Sequence, residues 1–237
     1  ADIDGDGDLD LFIGHSSGDT VFFRNTAASG ATAPAYATAV TNPFGITDVG
    51  NYASPIFADI DGDGDLDLFI GHSSGDTVFF RNTAASGATA PAYATAVTNP
   101  FGITDVGNYA CSTLVDVDGD GDLDLFIGEQ FGTTLFFRNT AASGATDPAY
   151  AAATINPFGI TDVGFNASLS FGDIDGDGDL DLLIGNAAGD TVFFRNTAAI
   201  FVAALNSSTA DGSYKVGDVI TITTSFSEAV LVDTTGG

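Results

Sequence analysis

The chain has 237 residues, of which 32 are acidic and 5 are basic, so its formal net charge at pH 7 is -27. With 44% hydrophobic residues, 20 Phe and 6 Tyr, it is too apolar for an acidic disordered tail. The excess of negative charge excludes binding to nucleic acid or to an anionic membrane surface, because both depend on clustered Lys and Arg. The single Cys111 excludes an intrachain disulfide framework and a cysteine zinc site, and no apolar run is long enough for membrane insertion.

A repeat of 57 residues dominates the sequence. The phrase DIDGDGDLDLFIG begins at Asp2 and again at Asp59, and close variants of it begin at Asp116 and Asp173. Residues 2–53 are identical to residues 59–110, which a recent duplication explains most simply. Agreement between the first two copies is therefore weak evidence about function, and differences among the copies are more informative.

Apolar segments separated by turns predict short strands within each repeat. In the second copy they are residues 54–58, 66–70 and 77–81, followed by a weaker strand within 92–97. Gly, Pro, Asn or Thr interrupts every stretch before a helix could complete three turns. Four short antiparallel strands per repeat are typical of a β-propeller blade, so the predicted fold is all-β. The first copy lacks its leading strand and the fourth changes character after Thr197, so we expect an open or partial propeller.

Each repeat contains an Asp-rich loop, which places five carboxylates in nine residues. Carboxylates this close repel one another unless a cation lies among them. Calcium takes six to eight oxygen ligands, and such a loop can supply side chains at positions 1, 3, 5 and 9 and a backbone carbonyl at position 7. Gly64, at position 6 of the second loop, permits a sharp turn. Magnesium prefers a tighter octahedron, and zinc prefers His or Cys, so calcium is the predicted ion, with about four ions per chain.

A helix-loop-helix calcium site is the obvious alternative interpretation of the loop. That site requires a bidentate Glu at position 12. All four copies have Ile there, namely Ile13, Ile70, Ile127 and Ile184. The sequence therefore predicts a loop between two strands, with its last side-chain ligand at position 9.

The run SPIFADIDGDGDLDLFIG, followed by GDTVFFRN, resembles the FG-GAP or VCBS type of calcium-binding β-propeller repeat, which is related to the integrin α-subunit propeller. The resemblance covers about residues 1–198 and implies a large bacterial protein that is secreted or lies at the cell surface. It also implies that the Asp-rich loop joins the first two strands of each blade. The implied metal ligands are, in the first loop, Asp2, Asp4, Asp6, Asp10 and the backbone carbonyl of Asp8; in the second, Asp59, Asp61, Asp63, Asp65 and Asp67; in the third, Asp116, Asp118, Asp120, Asp122 and Asp124; and in the fourth, Asp173, Asp175, Asp177, Asp179 and Asp181.

The 57-residue pattern stops after Ala199. Apolar and polar residues alternate over 219–223, which predicts a half-buried strand. This stretch resembles the opening of a bacterial immunoglobulin-like or cadherin-like domain, a β-sandwich that needs ~100 residues. The predicted division is four repeats over 1–198, the first and last incomplete, and the truncated start of such a sandwich over 199–237.

Three further sets of residues have a structural and a functional interpretation. His15 and His72 occupy a turn that contains Glu129 and Asn186 in later copies, so we expect exposed turn residues and not general bases. Phe22-Phe23 and its copies are predicted to place one ring between blades and the other within a blade. An arginine recurs at the third strand, and we expect structural ion pairs, with an Asp such as Asp76 or Asp190, for Arg24, Arg81, Arg138 and Arg195.

The sequence thus predicts a non-catalytic, calcium-binding module of a large extracellular or cell-surface protein, serving adhesion or acting as a spacer. An enzyme is not expected, because no carboxylate outside the loops is a clear general acid. The alternative is a lectin-like propeller that binds glycans in the presence of calcium. Aromatic stacking sites for it are available at two repeat positions, namely Tyr36, Tyr93 and Tyr150, and Tyr52 and Tyr109.

Overall fold

The computed structural model describes residues 1–28, 31–85, 88–142 and 144–197, together with the backbone of 202–207 and 222–226. The chain divides into two compact units. The first comprises residues 1–171 and 182–194, and the second comprises residues 172–181 and 195–237.

Four antiparallel sheets follow one another along the chain and, apart from the end residues Gly172 and Asp181, belong to the first unit. The first sheet contains β1 (Leu11–Gly14), β2 (Thr20–Phe23) and β3 (Val40–Thr41). The second contains β4 (Ser54–Ala58), β5 (Asp67–Gly71), β6 (Thr77–Phe80) and β7 (Val97–Thr98). The third contains β8 (Cys111–Val115), β9 (Asp124–Gly128), β10 (Thr134–Phe137) and β11 (Thr154–Ile155). The fourth contains β12 (Ser168–Gly172), β13 (Asp181–Gly185) and β14 (Thr191–Phe194).

The sheets have the connectivity that the strand pattern predicts. In the second sheet β4 pairs with β5 from Ser54 opposite Gly71 to Ala58 opposite Asp67, and β5, β6 and β7 then pair in chain order. The first three predicted strands are correct to within a residue. The fourth is shorter than predicted, because the segment 92–97 contributes only a single bridge between Asn82 and Tyr93 before β7 begins at Val97.

Helix is nearly absent from the described residues, where two single turns of 3-10 helix, Pro43–Gly45 and Pro100–Gly102, follow the outermost strands. The turn is fixed by the preceding asparagine. Asn99 accepts a hydrogen bond from the Thr77 backbone N–H at 2.9 Å, and its side-chain amide donates one to Asp76 at 2.7 Å. The turn therefore ends the sheet at a defined residue.

The hydrophobic core lies between successive sheets, which pack face to face. Three clusters of buried side chains occupy the spaces between the first and second, second and third, and third and fourth sheets. Alternation along β6 sends Phe80 into the first of these clusters and Phe79 into the second. The expectation that one phenylalanine packs within its own blade is therefore wrong, because a four-stranded sheet has two faces and each face meets a neighbouring sheet.

A backbone contact recurs where one repeat meets the next. The glycine that ends the second strand lies against the backbone carbonyl that directly precedes the first strand of the next sheet, so closely that a β-carbon on Gly71 would lie 2.2 Å from the Ala110 oxygen. The Ala110 N–H donates a hydrogen bond to the His72 carbonyl at 3.1 Å, which fixes the same junction. Equivalent close approaches hold Gly14 against Ala53 and Gly128 against Ala167.

In the part of the chain that the structure describes, the first sheet has no counterpart of β4, and the exposure of its β1 side chains shows the effect. Leu11 is 38% exposed and Ile13 is 43% exposed, whereas their copies Leu68 and Ile70 are fully buried. The residues are identical, so the difference arises from β4 and the neighbouring sheet, which the copies in β5 have and β1 lacks. Stacked sheets of three or four antiparallel strands, none closed into a barrel among the described residues, confirm the predicted all-β fold of an open or partial propeller.

The second unit contains the fourth Asp-rich loop and an antiparallel pair, β15 (Val202–Ser207) and β16 (Ile222–Phe226), with an irregularity between Val202 and Ala204. The strand predicted at 219–223 overlaps β16 at its last two residues, and 219–221 lie outside the described residues. The immunoglobulin-like interpretation of 199–237 stays a prediction, since most of this segment also lies outside them.

Candidate metal centre

The Asp-rich loops, termed loops 1 to 4 (residues 2–10, 59–67, 116–124 and 173–181), occupy the same place in each repeat. Loop 2 connects β4 to β5, loop 3 connects β8 to β9, and loop 4 connects β12 to β13. Loop 1 leads into β1. Loops 2 to 4 therefore join the first two strands of their sheets, as the resemblance implied.

The carboxylate at position 1 folds each loop around itself. In loop 2, Asp59 accepts hydrogen bonds from the backbone N–H groups of Gly62 at 2.8 Å, Asp63 at 3.1 Å and Gly64 at 3.0 Å. Gly62 and Gly64 have φ of +74° and +93°, a region that disfavours side chains, and a β-carbon on either would meet no described atom within 4 Å. These glycines are thus required by backbone conformation and not by lack of space.

Three carboxylates of each loop converge. In loops 1 to 3 they are those at positions 1, 3 and 5, and in loop 4 they are those at positions 1, 3 and 9; one oxygen of each lies within 4.8 Å of the others. The converging residues are Asp2, Asp4 and Asp6; Asp59, Asp61 and Asp63; Asp116, Asp118 and Asp120; and Asp173, Asp175 and Asp181. The position-7 residues Asp8, Asp65, Asp122 and Asp179, and Asp177 at position 5 of loop 4, stand outside these groups.

The position-9 carboxylate has a structural role in every loop. Asp67 is buried, and one of its oxygens accepts a hydrogen bond from the Asn82 N–H at 2.7 Å while the other accepts one from the Ile60 N–H at 3.3 Å. This carboxylate thus ties the loop to the residues that follow the third strand. The same bond to the later backbone is made by Asp10, Asp124 and Asp181.

Burial of the position-9 carboxylate disfavours its charged form. Loss of solvent, together with repulsion from Asp61, raises the pKa of Asp67 to about 6 despite the opposing hydrogen bond from the Asn82 N–H. Burial likewise raises the pKa of Asp124 to about 6, with added repulsion from Asp118. Loop 1 shows the same effect at position 3, where burial first and Asp10 second raise the pKa of Asp4. The loops therefore carry negative charge that their surroundings only partly compensate.

An arginine contributes the positive charge nearest to each loop. Arg24 pairs with Asp4, Arg81 with Asp61, Arg138 with Asp118 and Arg195 with Asp175. Structural ion pairs were expected, but the proposed partners Asp76 and Asp190 are wrong. Asp76 and Asp190 lie in the turn before the third strand, whereas the arginine lies at the end of that strand, where the loop returns to the sheet.

The turn after the second strand also differs from its prediction. His15 is exposed, but His72 and Glu129 at the same repeat position are buried. Gly50 lies against the His72 ring, and the Glu129 carboxylate accepts hydrogen bonds from the Phe131 and Thr133 N–H groups at 2.8 and 2.9 Å. These side chains organise the turn, and their burial was not anticipated.

The roles of two residues that support the loops were not anticipated: Asn82 was not singled out, and Tyr93, expected as a possible glycan-stacking site, is buried. The Asn82 side-chain oxygen accepts hydrogen bonds from the N–H groups of Ala84 at 3.1 Å and Ala92 at 3.0 Å, which shapes the small-residue loop after the third strand. The Tyr93 hydroxyl donates to the Leu66 carbonyl inside loop 2 at 3.3 Å. Both recur at 57-residue spacing, as Asn139 and Tyr150, and that recurrence was the available signal.

Tandem antiparallel sheets, each with an oxygen-rich loop that leads into the strand preceding the Gly-Asp or Gly-Thr turn, define a propeller-type repeat protein. The sequence matches the family described as FG-GAP-like repeat over residues 2–70, 59–127 and 116–184. The chain belongs to this family, whose repeats are typical of extracellular proteins. No curated protein matches the chain. Among the described residues, no helix has the length and apolar character needed to cross a membrane.

The residues present fit a hard divalent cation. Every side-chain donor in the loops is a carboxylate oxygen, three of them converge, and one guanidinium faces several carboxylates. Oxygen-only donors suit calcium or magnesium and disfavour zinc, and flexible multidentate carboxylates suit calcium better than the rigid octahedron of magnesium.

The buried carboxylates predict an inverted pH dependence for the calcium-free protein. Asp67 and Asp124 have pKa values near 6 in the folded chain, compared with 3.8 for the ordinary side chain. The folded state binds more protons at these two groups between pH 3.8 and 6, so the stability that they contribute is greatest below about pH 4 and is lost as pH rises through 6. In calcium-free buffer we expect these groups to lower the melting temperature by several degrees between pH 4.5 and 7. The double variant Asp67→Asn, Asp124→Asn should flatten this slope, and an equal slope in that variant would refute the assignment.

Proposed function

We propose that the chain is a non-catalytic, calcium-binding repeat module of an extracellular or cell-surface protein. The observation that carries this proposal is the convergence of three carboxylates in each of the four Asp loops, within 4.8 Å of one another. Membership of the FG-GAP-like repeat family supports an extracellular setting. Extracellular calcium-binding modules have dissociation constants of ~0.1 to 1 mM, so calcium occupies their sites outside the cell.

The role of the ion would be mechanical. Loops 2 to 4 each join the first two strands of a sheet, and their position-9 carboxylates are bonded to the residues that follow the third strand. An ion held by the converging carboxylates would remove their repulsion and fix these three strands relative to one another. Such a module suits a spacer or an adhesive segment, which must keep its shape without a bound substrate.

Direct calcium binding tests the proposal. Calorimetric titration of the chelator-treated chain should show about four ions bound, and Asp120→Asn should remove one of them, because Asp120 is one of the three converging carboxylates of loop 3. The matched control is Asp190→Asn, an exposed aspartate outside the loops, which should leave the stoichiometry unchanged. Absence of calcium binding, or an unchanged stoichiometry in Asp120→Asn, would overturn the proposal.

A glycan-binding function is the second candidate, and one surface feature favours it. The rings of Tyr52 and Tyr109 lie 5.0 Å apart, and Tyr52 is 53% exposed. Exposed aromatic rings provide a face for stacking, and both tyrosines have positive φ, a conformation that bulky residues seldom adopt. A glycan array with calcium present should then show binding that Tyr109→Ala abolishes. Absence of binding to any glycan would leave the spacer or adhesion role.

A further inference from the structure

We propose that Arg81 and Asp147 form a calcium-dependent latch between the second and third repeats. In the calcium-free chain Arg81 is shared between Asp61 of loop 2 and Asp147 of the third repeat; when calcium binds loop 2, Arg81 transfers fully to Asp147. This inference rests on the proposed calcium binding, and it assigns roles to two residues outside the ligand set.

The geometry places one guanidinium between two repeats. Its Nη1 contacts the Asp61 carboxylate and its Nη2 contacts the Asp147 carboxylate, so different nitrogens serve the two partners. Nη1 also lies 3.5 Å from the Thr146 carbonyl oxygen, and the guanidinium carbon lies 5.6 Å from the centre of the Phe79 ring. The Arg81 side chain is 26% exposed, the lowest value among the four equivalent arginines. The Arg81 guanidinium therefore already contacts Asp147 and can release Asp61 without a large movement.

The first and second repeats provide an internal comparison. Arg24 occupies the same position as Arg81, contacts Asp4 of loop 1, and donates a hydrogen bond to the Thr89 carbonyl at 3.1 Å. The residue after Thr89 is Ala90, which corresponds to Asp147 at 57-residue spacing. Arg24 thus has the backbone contact to the next repeat but lacks the second carboxylate. The third repeat differs from the first two at this position by a residue that adds an ion pair.

Electrostatics makes the two states of Arg81 depend on calcium. Asp61 is one of the three converging carboxylates of loop 2, so a divalent ion in the loop and the guanidinium compete for the same negative charge. Calcium weakens the pair of Arg81 with Asp61 and leaves its pair with Asp147 unopposed. By reciprocity, Asp147 favours calcium binding, because it offers the displaced guanidinium another partner. Loop 2 should accordingly bind calcium more tightly than loop 1.

The affinity of a single loop can be isolated by disabling the other three. In a chain carrying Asp6→Asn, Asp120→Asn and Asp175→Asn, each of which removes one converging carboxylate, loop 2 alone retains its acidic set. Adding Asp147→Ala, which restores the residue of the first two copies, should weaken calcium binding about 1.5- to fivefold, the range of an exposed ion pair. Titrations are made in 150 mM salt, which screens the long-range effect of removing the Asp147 charge on calcium binding.

A double-mutant cycle and a reciprocal variant make the test specific. Arg81→Gln should tighten calcium binding, and Asp147→Ala should then have no further effect, because the coupling passes through the arginine. Ala90→Asp, in a chain where loop 1 is the intact loop, should tighten calcium binding there by a similar factor. Hydrogen exchange of residues 144–150 should slow on calcium addition in the parent chain and not in Asp147→Ala.

The outcomes separate the latch from the calcium proposal. If no variant with an intact loop binds calcium, the proposed function fails, and the latch fails with it. If calcium binds but Asp147→Ala weakens binding equally with Arg81 present or replaced, only the latch is overturned. Far-UV circular dichroism identifies any variant that has not folded, and Ala90→Asp supplies an independent test in that event.

Discussion

Calcium is expected to raise the melting temperature of the chelator-treated chain by about 10 to 20 °C. At a tenfold excess of calcium over the dissociation constant, one site contributes about 1.4 kcal/mol, so four sites contribute about 5 to 6 kcal/mol. For a chain of this size each kcal/mol corresponds to about 2 to 4 °C. The effect is large because four loops, each with three converging carboxylates, recur in the chain.

Differential scanning calorimetry in calcium and in chelator measures this shift. Magnesium at the same concentration is the control, and it should produce a smaller shift because it retains its waters. Susceptibility to protease should fall in parallel with calcium addition. Identical melting curves with calcium and with chelator would show that the loops do not use an ion to stabilise the fold.

Replacement of a junction glycine is expected to have the second largest effect. Gly71→Ala would bring a β-carbon to 2.2 Å from the Ala110 carbonyl oxygen, and a rigid backbone cannot move aside without opening the junction between repeats. Overpacking of this kind costs about 2 to 4 kcal/mol, equivalent to about 5 to 15 °C in melting temperature.

The chain offers a matched control for this substitution at the same repeat position. A β-carbon on Gly185 would meet no described atom within 4 Å, and Gly185 is not among the residues with positive φ. Gly185→Ala should therefore leave the melting temperature unchanged or raise it slightly, since alanine restricts the unfolded chain. If both substitutions lowered the melting temperature equally, the close contact with Ala110 would not be the reason that position 71 requires glycine.

Much of the fold could be predicted because each repeat carries local signals. The apolar segment 54–58 and the Asp-Gly turns of loop 2 specify a strand and a loop without reference to distant residues. The period of 57 residues then indicates stacking, since a single sheet cannot bury both of its faces. The all-β, propeller-type prediction depended on these local and periodic signals.

What could not be predicted depends on contacts between repeats. His72 is buried, and Gly50 of the preceding repeat lies against its ring. His15 has the same flanking sequence but is exposed. The arginine partners were wrong for a related reason. Sequence spacing places Arg81 near Asp76, but strand direction carries it to the opposite end of the sheet, beside Asp61. The direction of each strand decides which side chains meet at the ends of a sheet, and the spacing of residues in the sequence does not reveal it.

The junction contacts have a consequence for how this chain can change in length. The second repeat shows both sides of the junction: Gly71 lies against the residue that precedes the next sheet, while Thr89 and Tyr93 contact Arg24 and Phe44 of the preceding repeat. An inserted copy of 57 residues therefore finds matching surfaces at both of its ends, without any compensating substitution. The copy 59–110 of residues 2–53 thus brought its own junction contacts with it, and arrays of this kind can lengthen by whole units.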